Sequence, residues 1–288
     1  MPERLSLNQL RPYAVPVVGA LLLAAAYWHT FVWFAGYWFG NKDYYHCPAV
    51  PAVVAWLLWR RRRTILKVRA QPAYAGLAVL AFGLLVHLLG ARTGIRVVSA
   101  ASLPISAAGL VYALGGAALF RETWIAYPVS FFMVPVPHQI LAQVGMPMQN
   151  WSAAAAAVMG KGLGLDVIRE GIVLLLHGDK FVVAQQCSGI NSLLALSLVS
   201  IVVVHLLAAP LWRKIVLLLL VPPIVLAANS IRVASVLVVA EFLSPKVALD
   251  MFIHGFSDII VYMAALMLLV LIAGILSGGR APSLEPES

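Results

Sequence analysis

Apolar residues run along this chain in long blocks, not in the short alternating stretches of a barrel strand. Most blocks approach the roughly 20 residues that a helix needs to cross a bilayer. Eight blocks stand out, at about residues 13–38, 45–59, 72–90, 97–120, 124–144, 190–209, 215–228 and 256–276. Polar groups punctuate them: Asn41-Lys42-Asp43, four arginines at 60–63, Arg121-Glu122 and Arg213-Lys214. Pro128, Pro135 and Pro137 are expected to bend or break the fifth block.

Two stretches depart from this rhythm. Residues 145–186 need not span. Within them 149–158 reads as a short Ala-rich helix, and the Gly178-Asp179 pair between Leu-rich and β-branched runs predicts a hairpin. After the seventh block, the apolar stretch 233–240 amounts to about 12 Å of helix, less than half a bilayer. It is expected to dip into the membrane and return. The expectation is an all-α polytopic membrane protein with about eight transmembrane helices, a re-entrant or interfacial element and a small extracytoplasmic segment at 145–186. Residues 1–288 would form a single membrane domain, with 277–288 as a cytoplasmic tail.

Composition agrees. Of 288 residues, 62% are hydrophobic and 11% charged, against about 25% charged in a soluble domain. This excludes a soluble globular enzyme and a disordered chain. The net charge of +9 is no nucleic-acid signature, because Arg60, Arg61, Arg62, Arg63, Lys67 and Arg69 cluster beside an apolar block, as a cytoplasmic anchor does. Counting spans from that anchor puts both termini in the cytoplasm and residues 145–186 outside. The start of the sixth block, Arg232 and His254 then fall at one depth, near the outer face.

Polar groups in apolar helices are costly and usually functional. Cys187, Arg232 and His254 are such groups. A thiolate attacks an acyl carbon, an imidazole takes the thiol's proton, and a guanidinium holds a developing oxyanion. Asn229 lies one turn before Arg232 on the same helical face.

Gln186-Cys187-Ser188-Gly189-Ile190 resembles the Cys-Ser-Gly signature of the exosortase and archaeosortase membrane proteins. Asn229-Ser230-Ile231-Arg232 resembles their Asn-x-x-Arg element, and Phe252-Ile253-His254-Gly255 their final His motif. The order and approximate spacing match over roughly residues 40 to 275. The resemblance implies a membrane cysteine protease or transpeptidase that cleaves a C-terminal sorting signal of exported proteins through an acyl-enzyme. That signal combines a short motif (Pro-Glu-Pro in the typical bacterial case), a transmembrane helix and a basic tail. The product would pass to a lipid or glycan acceptor. By the resemblance Cys187 is the nucleophile, His254 the acid/base and Arg232 the third catalytic residue, with Asn229, Ser188 and Gly189 supporting them. It also implies location in the cytoplasmic membrane, with the site facing outward. Asp43, Tyr44 and His46 match a further family motif, in which Tyr45 and Cys47 depart from the usual Ser and Gly.

Other readings stand beside this one. Cys187 can be a buried small hydrophobe, or can pair with Cys47 in a disulfide. Arg232 can snorkel to headgroups. His46, beside Asp43, is the best alternative base, with His138 and His177 behind it; His205 is excluded by its distance along the sixth block. No metal-ligand spacing is present, and no cofactor or nucleic-acid partner is expected. The alternative function is a membrane transporter or channel with a polar site near the outer face.

Overall fold

The computed structural model describes residues 7–41, 44, 46–183, 188–248 and 256–278. The described chain is mainly helical. It divides into two compact units, one ending at Pro135 and the other beginning at Val136.

The first unit holds α1 (Leu7–Ala26), α2 (Trp28–Gly40), α3 (Ala49–Arg60), α4 (Arg62–Lys67), α5 (Tyr74–Thr93), α6 (Arg96–Thr123) and α7 (Ala126–Ser130). A small-residue seam joins α5 to α6. Gly76, Gly83 and Gly90 recur every seven residues, and Ala113, Ser106 and Ser99 meet them in the reverse order of an antiparallel pair. A Cβ on Gly83 would lie 2.8 Å from the Ser106 amide nitrogen, and one on Gly90 would lie 2.9 Å from Ser99 Cα. Lipid offers no hydrophobic drive between helices, so close backbone approach supplies the packing instead.

The first apolar block forms two helices that bend by 60° at Tyr27. Tyr27 is fully buried. Its hydroxyl meets Ser102 Oγ at 2.7 Å and Ser106 Oγ at 2.8 Å, both on α6. Thr30 Oγ1 meets Ser99 Oγ at 3.2 Å, and Ser99 Oγ meets His87 Nδ1 at 2.9 Å. These six side chains thus satisfy one another, as a membrane interior requires.

The second unit holds α8 (His138–Gly162), strands β1 (Val167–Glu170), β2 (Val173–Leu176) and β3 (Asp179–Val182), then α9 (Ile190–Leu206), α10 (Leu211–Phe242) and α11 (Phe256–Leu276). The strands form an antiparallel sheet in the order β1-β2-β3. Both turns have two central residues. Gly171 opens the first with φ 63°, and His177 and Gly178 make the second with φ 51° and 90°. Positive φ at the first central residue, or at both, matches the twist of hairpin strands.

This unit has two apolar cores, and α10 serves both. Leu217, Val221, Ile224 and Val225 pack with Leu196 of α9 and Ala265, Leu269 and Ala273 of α11. Further along, Val233, Ala234, Val236, Leu237 and Ala240 pack with Ala153, Ala156 and Ala157 of α8 and with Val167, Leu174, Leu176 and Phe181 of the sheet.

These elements correct two expectations and bear on a third. The stretch 233–240 does not dip into the membrane separately. It continues α10, a helix of 32 residues and so about 48 Å long. Its apolar face is covered by the sheet rather than by lipid. The Ala-rich helix is likewise longer than expected, at 25 residues. Finally, among the described residues four helices are long and apolar enough to span, or up to six if each bent pair forms one span, so the count of eight is not reached by length and composition there. Hydropathy counts apolar blocks, but Ala49–Arg60 and Ile190–Leu206 are short helices, Tyr27 bends the first block, and the prolines at 135 and 137 separate α7 from α8.

The seam yields a prediction. Gly83→Val forces α5 from α6 and is expected to cost about 1–3 kcal/mol, the usual range for overpacking. Gly36→Val, where a Cβ meets nothing within 4 Å, is the control. Thermal unfolding in detergent should show a lowered midpoint for the first variant only.

Candidate active site

Where its two cores meet, α10 carries polar residues. Asn229, Ser230 and Arg232 are all buried there, with Arg232 only 5% exposed. Asn229 and Arg232 are three residues apart and share a helical face. The Asn229 amide Nδ2 donates to Ser152 Oγ of α8 at 2.9 Å, which fixes which way the carboxamide points.

The start of α9 packs onto the same face. Gly189 is its N-cap residue and has φ 80°, a left-handed conformation that glycine adopts without strain. A Cβ on Gly189 would lie 3.2 Å from Asn229 Cβ and 3.3 Å from Val225 Cγ1. Backbone conformation and close approach therefore both select glycine here. Ser188 is fully buried, and its Oγ accepts the Ile190 N–H at 3.2 Å, satisfying one of the unpaired donors at the helix start.

A narrow cleft opens beside these groups. Ser192 of α9, Ala228, Asn229 and Arg232 of α10, and Val261 and Tyr262 of α11 help to line it. A guanidinium in a low-dielectric wall suits a developing negative charge, and the serine and tyrosine hydroxyls add hydrogen-bonding capacity. Sequence reasoning missed Ser152, Ser192 and Tyr262. Ser152 carried a weak signal, being a polar residue at the head of an alanine run. Ser192 and Tyr262 looked like ordinary members of apolar blocks.

Of the residues named from sequence, the structure brings Ser188, Gly189, Asn229 and Arg232 together. Cys187, His254 and Asp43 lie outside the described residues. Tyr44 and His46 belong to the first unit. Tyr44 is buried, with its ring 5.1 Å from that of Tyr37. His46 Nε2 lies 3.7 Å from Cys47 Sγ in the turn that precedes α3. Burial holds the His46 imidazole below its ordinary pKa and pushes the Cys47 thiol up to about 12. Cys47 is a free thiol. His177 pairs with Glu241 at 2.8 Å, tying the β2–β3 turn to the end of α10. Among the described residues no group of three His, Cys, Asp or Glu side chains could hold a metal ion.

The architecture is that of a helical membrane protein with a small pocket, partly lined by polar side chains, among the helices of its second unit. The profile of the transmembrane exosortases matches residues 28–271, and the chain belongs to that family. The family implies a membrane-embedded protease or transpeptidase. No curated protein and no solved structure matches the chain.

Two predictions arise here. In a Cys187→Ala variant, Cys47 is the sole remaining thiol. With its pKa near 12, less than about one molecule in 10⁴ carries a thiolate at pH 7.5. A maleimide should leave the folded variant unlabelled at that pH and label it after denaturation; labelling before denaturation would contradict the burial argument. Separately, Gly189→Ala forces a side chain into a left-handed conformation against Asn229. The expected cost is about 1–2 kcal/mol, read as a lower unfolding midpoint in detergent, with Gly162→Ala in open space as the control.

Proposed function

We propose that this chain is a cysteine transpeptidase of the cytoplasmic membrane that cleaves a C-terminal sorting signal from exported proteins. Cys187 is the nucleophile, His254 the acid/base and Arg232 the oxyanion holder. One observation carries the reading: α9, α10 and α11 line the cleft beside Arg232, and the three motif residues belong to these same helices or immediately precede them. Cys187 comes three residues before the first residue of α9, and His254 two before that of α11. Chain length alone keeps each within about 11 Å of a cleft helix's start.

The chemistry follows from residue types. His254 takes the Cys187 thiol proton. The thiolate Sγ then attacks the substrate carbonyl carbon, and the carbonyl oxygen becomes an oxyanion beside the Arg232 guanidinium. Collapse breaks the C–N bond while the imidazolium returns its proton to the leaving amine. A thioester remains. His254 next deprotonates an acceptor hydroxyl or amine, which attacks the thioester and releases the thiolate. The positive end of α9, whose N-cap lies two residues after Cys187, favours the thiolate.

Orientation supports an outward site. The positive-inside rule puts Arg60, Arg61, Arg62 and Arg63 in the cytoplasm, and independently puts Arg213 and Lys214 at the start of α10 there. From Arg213 to Arg232 is about 29 Å of helix, one hydrocarbon thickness. Arg232 then emerges at the outer surface, and the sheet and the far end of α10 lie outside. Both termini, with the tail 277–288, are cytoplasmic.

The test is co-expression with an exported reporter ending in Pro-Glu-Pro, a transmembrane helix and a basic tail, alongside a library with the three motif residues randomised. Wild type should release the C-terminal fragment of at least one reporter, with added mass on the product marking the acceptor. Cys187→Ala and His254→Ala should abolish release. Arg232→Lys keeps the charge but loses the planar fork, and should slow release by about 10²–10³-fold. Equal release by wild type and Cys187→Ala would remove Cys187 as nucleophile.

A further inference from the structure

The sheet has two outer edges. β1 packs against α8, where the Arg169 guanidinium donates to the Asn150 carbonyl at 3.4 Å. The edge of β3 pairs with no strand among the described residues. Register shows which of its groups are open. The Val183 N–H donates to the Ile172 carbonyl at 3.0 Å, and inward- and outward-pointing residues alternate along an antiparallel pair. Asp179, Phe181 and Val183 therefore turn their main-chain groups to β2. Lys180 and Val182 turn theirs outward, and both residues are exposed.

An open edge is a template for another strand. Lysine and short length guard such an edge against random pairing, and β3 has both. Its place in the chain points to a particular occupant. Four residues lead from Val183 to Cys187, at most about 14 Å of chain. The sheet also rests on Val233, Ala234, Val236 and Leu237, which follow directly after Arg232 on α10.

We infer that the edge of β3 binds polypeptide substrate by parallel strand addition, taking the extended stretch immediately N-terminal to the scissile bond. This rests on the function proposed above. A substrate strand parallel to β3 runs away from the His177-Gly178 turn and toward Cys187. Its scissile bond then reaches the nucleophile while its transmembrane helix continues into lipid. The edge reads main chain, so it tolerates many side chains upstream of the motif and demands only that this stretch be extended.

The test uses a reporter that wild type processes. Val182→Pro removes one outward N–H and leaves the β2–β3 bonds intact, since proline is accommodated on strand edges. Loss of one hydrogen bond should slow release by roughly 3- to 10-fold, and Val182→Ala, which keeps the N–H, should restore most of that loss. Because the proline could disturb folding, a binding readout accompanies it. In a Cys47→Ala, Cys187→Ala background, Val182→Cys or Lys180→Cys is oxidised against single cysteines placed along the reporter. Parallel addition predicts crosslinks only upstream of the cleavage point, at every second residue, with Lys180→Cys reaching positions farther upstream than Val182→Cys. No upstream crosslinks, downstream crosslinks alone, or the reverse order would overturn the inference. Crosslinking needs no thiol at position 187, so a failure of the catalytic assignment is seen separately, as processing that survives Cys187→Ala.

Discussion

A carboxamide buried on an apolar helix has to be hydrogen-bonded, because leaving it unsatisfied costs about 1–3 kcal/mol. In the second unit the Asn229–Ser152 bond meets that need and couples α10 to α8. Asn229 presents Cβ and Cγ to Gly189, where any side chain would be tightly packed. The start of α9 is thereby held against α10, one helical turn from Arg232. The position of the cleft follows from this junction. Apolar packing above and below it supplies two cores along the same helix.

The first unit solves the same problem by another route. The polar groups at its α5–α6 seam are hydroxyls and one imidazole, small enough to sit beside the glycines. Tyr27 spans from the bend between α1 and α2 to two serines of α6, so the bend is anchored by hydrogen bonds. Serine therefore has two uses on α6: it lets backbones approach, and it satisfies a buried phenol. In the arginine cluster at 60–63 the balance is different. Arg61 pairs with Glu122 at 3.1 Å on a partly exposed surface, while Arg60 and Arg62 lie over the rings of Trp56 and Trp59. Such exposed pairs add little stability.

Much of this was legible in the sequence, and the failures have physical causes. Block length and composition identified a helical membrane protein, and the motifs around Cys187, Arg232 and His254 identified the family. Of the residues those motifs name, Ser188, Gly189, Asn229 and Arg232 lie in one region, while Cys187 and His254 lie outside the described residues. The continuity of α10 was not. Three polar residues within 229–232 followed by a short, mostly apolar stretch read as an exit from the membrane, because hydropathy does not distinguish lipid from a protein core that covers the same side chains. The sheet was half legible: Gly178 marked one turn, whereas Gly171 lay inside the single segment read ahead of that turn. Ser152 escaped because its importance lies in its partner, which is 77 residues away.

The unbroken course of α10 limits how this fold can vary in length. An inserted residue rotates everything beyond it by about 100° and advances it by 1.5 Å. An insertion between Val225 and Asn229 would turn the polar face out of the junction while both cores kept their composition. Only changes near whole numbers of turns, such as seven residues, restore the facing, and those displace the sheet by about 10 Å. The hairpin turns at Gly171-Ile172 and His177-Gly178 carry no such restriction, since added residues there leave the strand register intact. Length variation among relatives of this chain should therefore gather in the turns of the sheet and leave the segment from Leu217 to Ala240 at constant length.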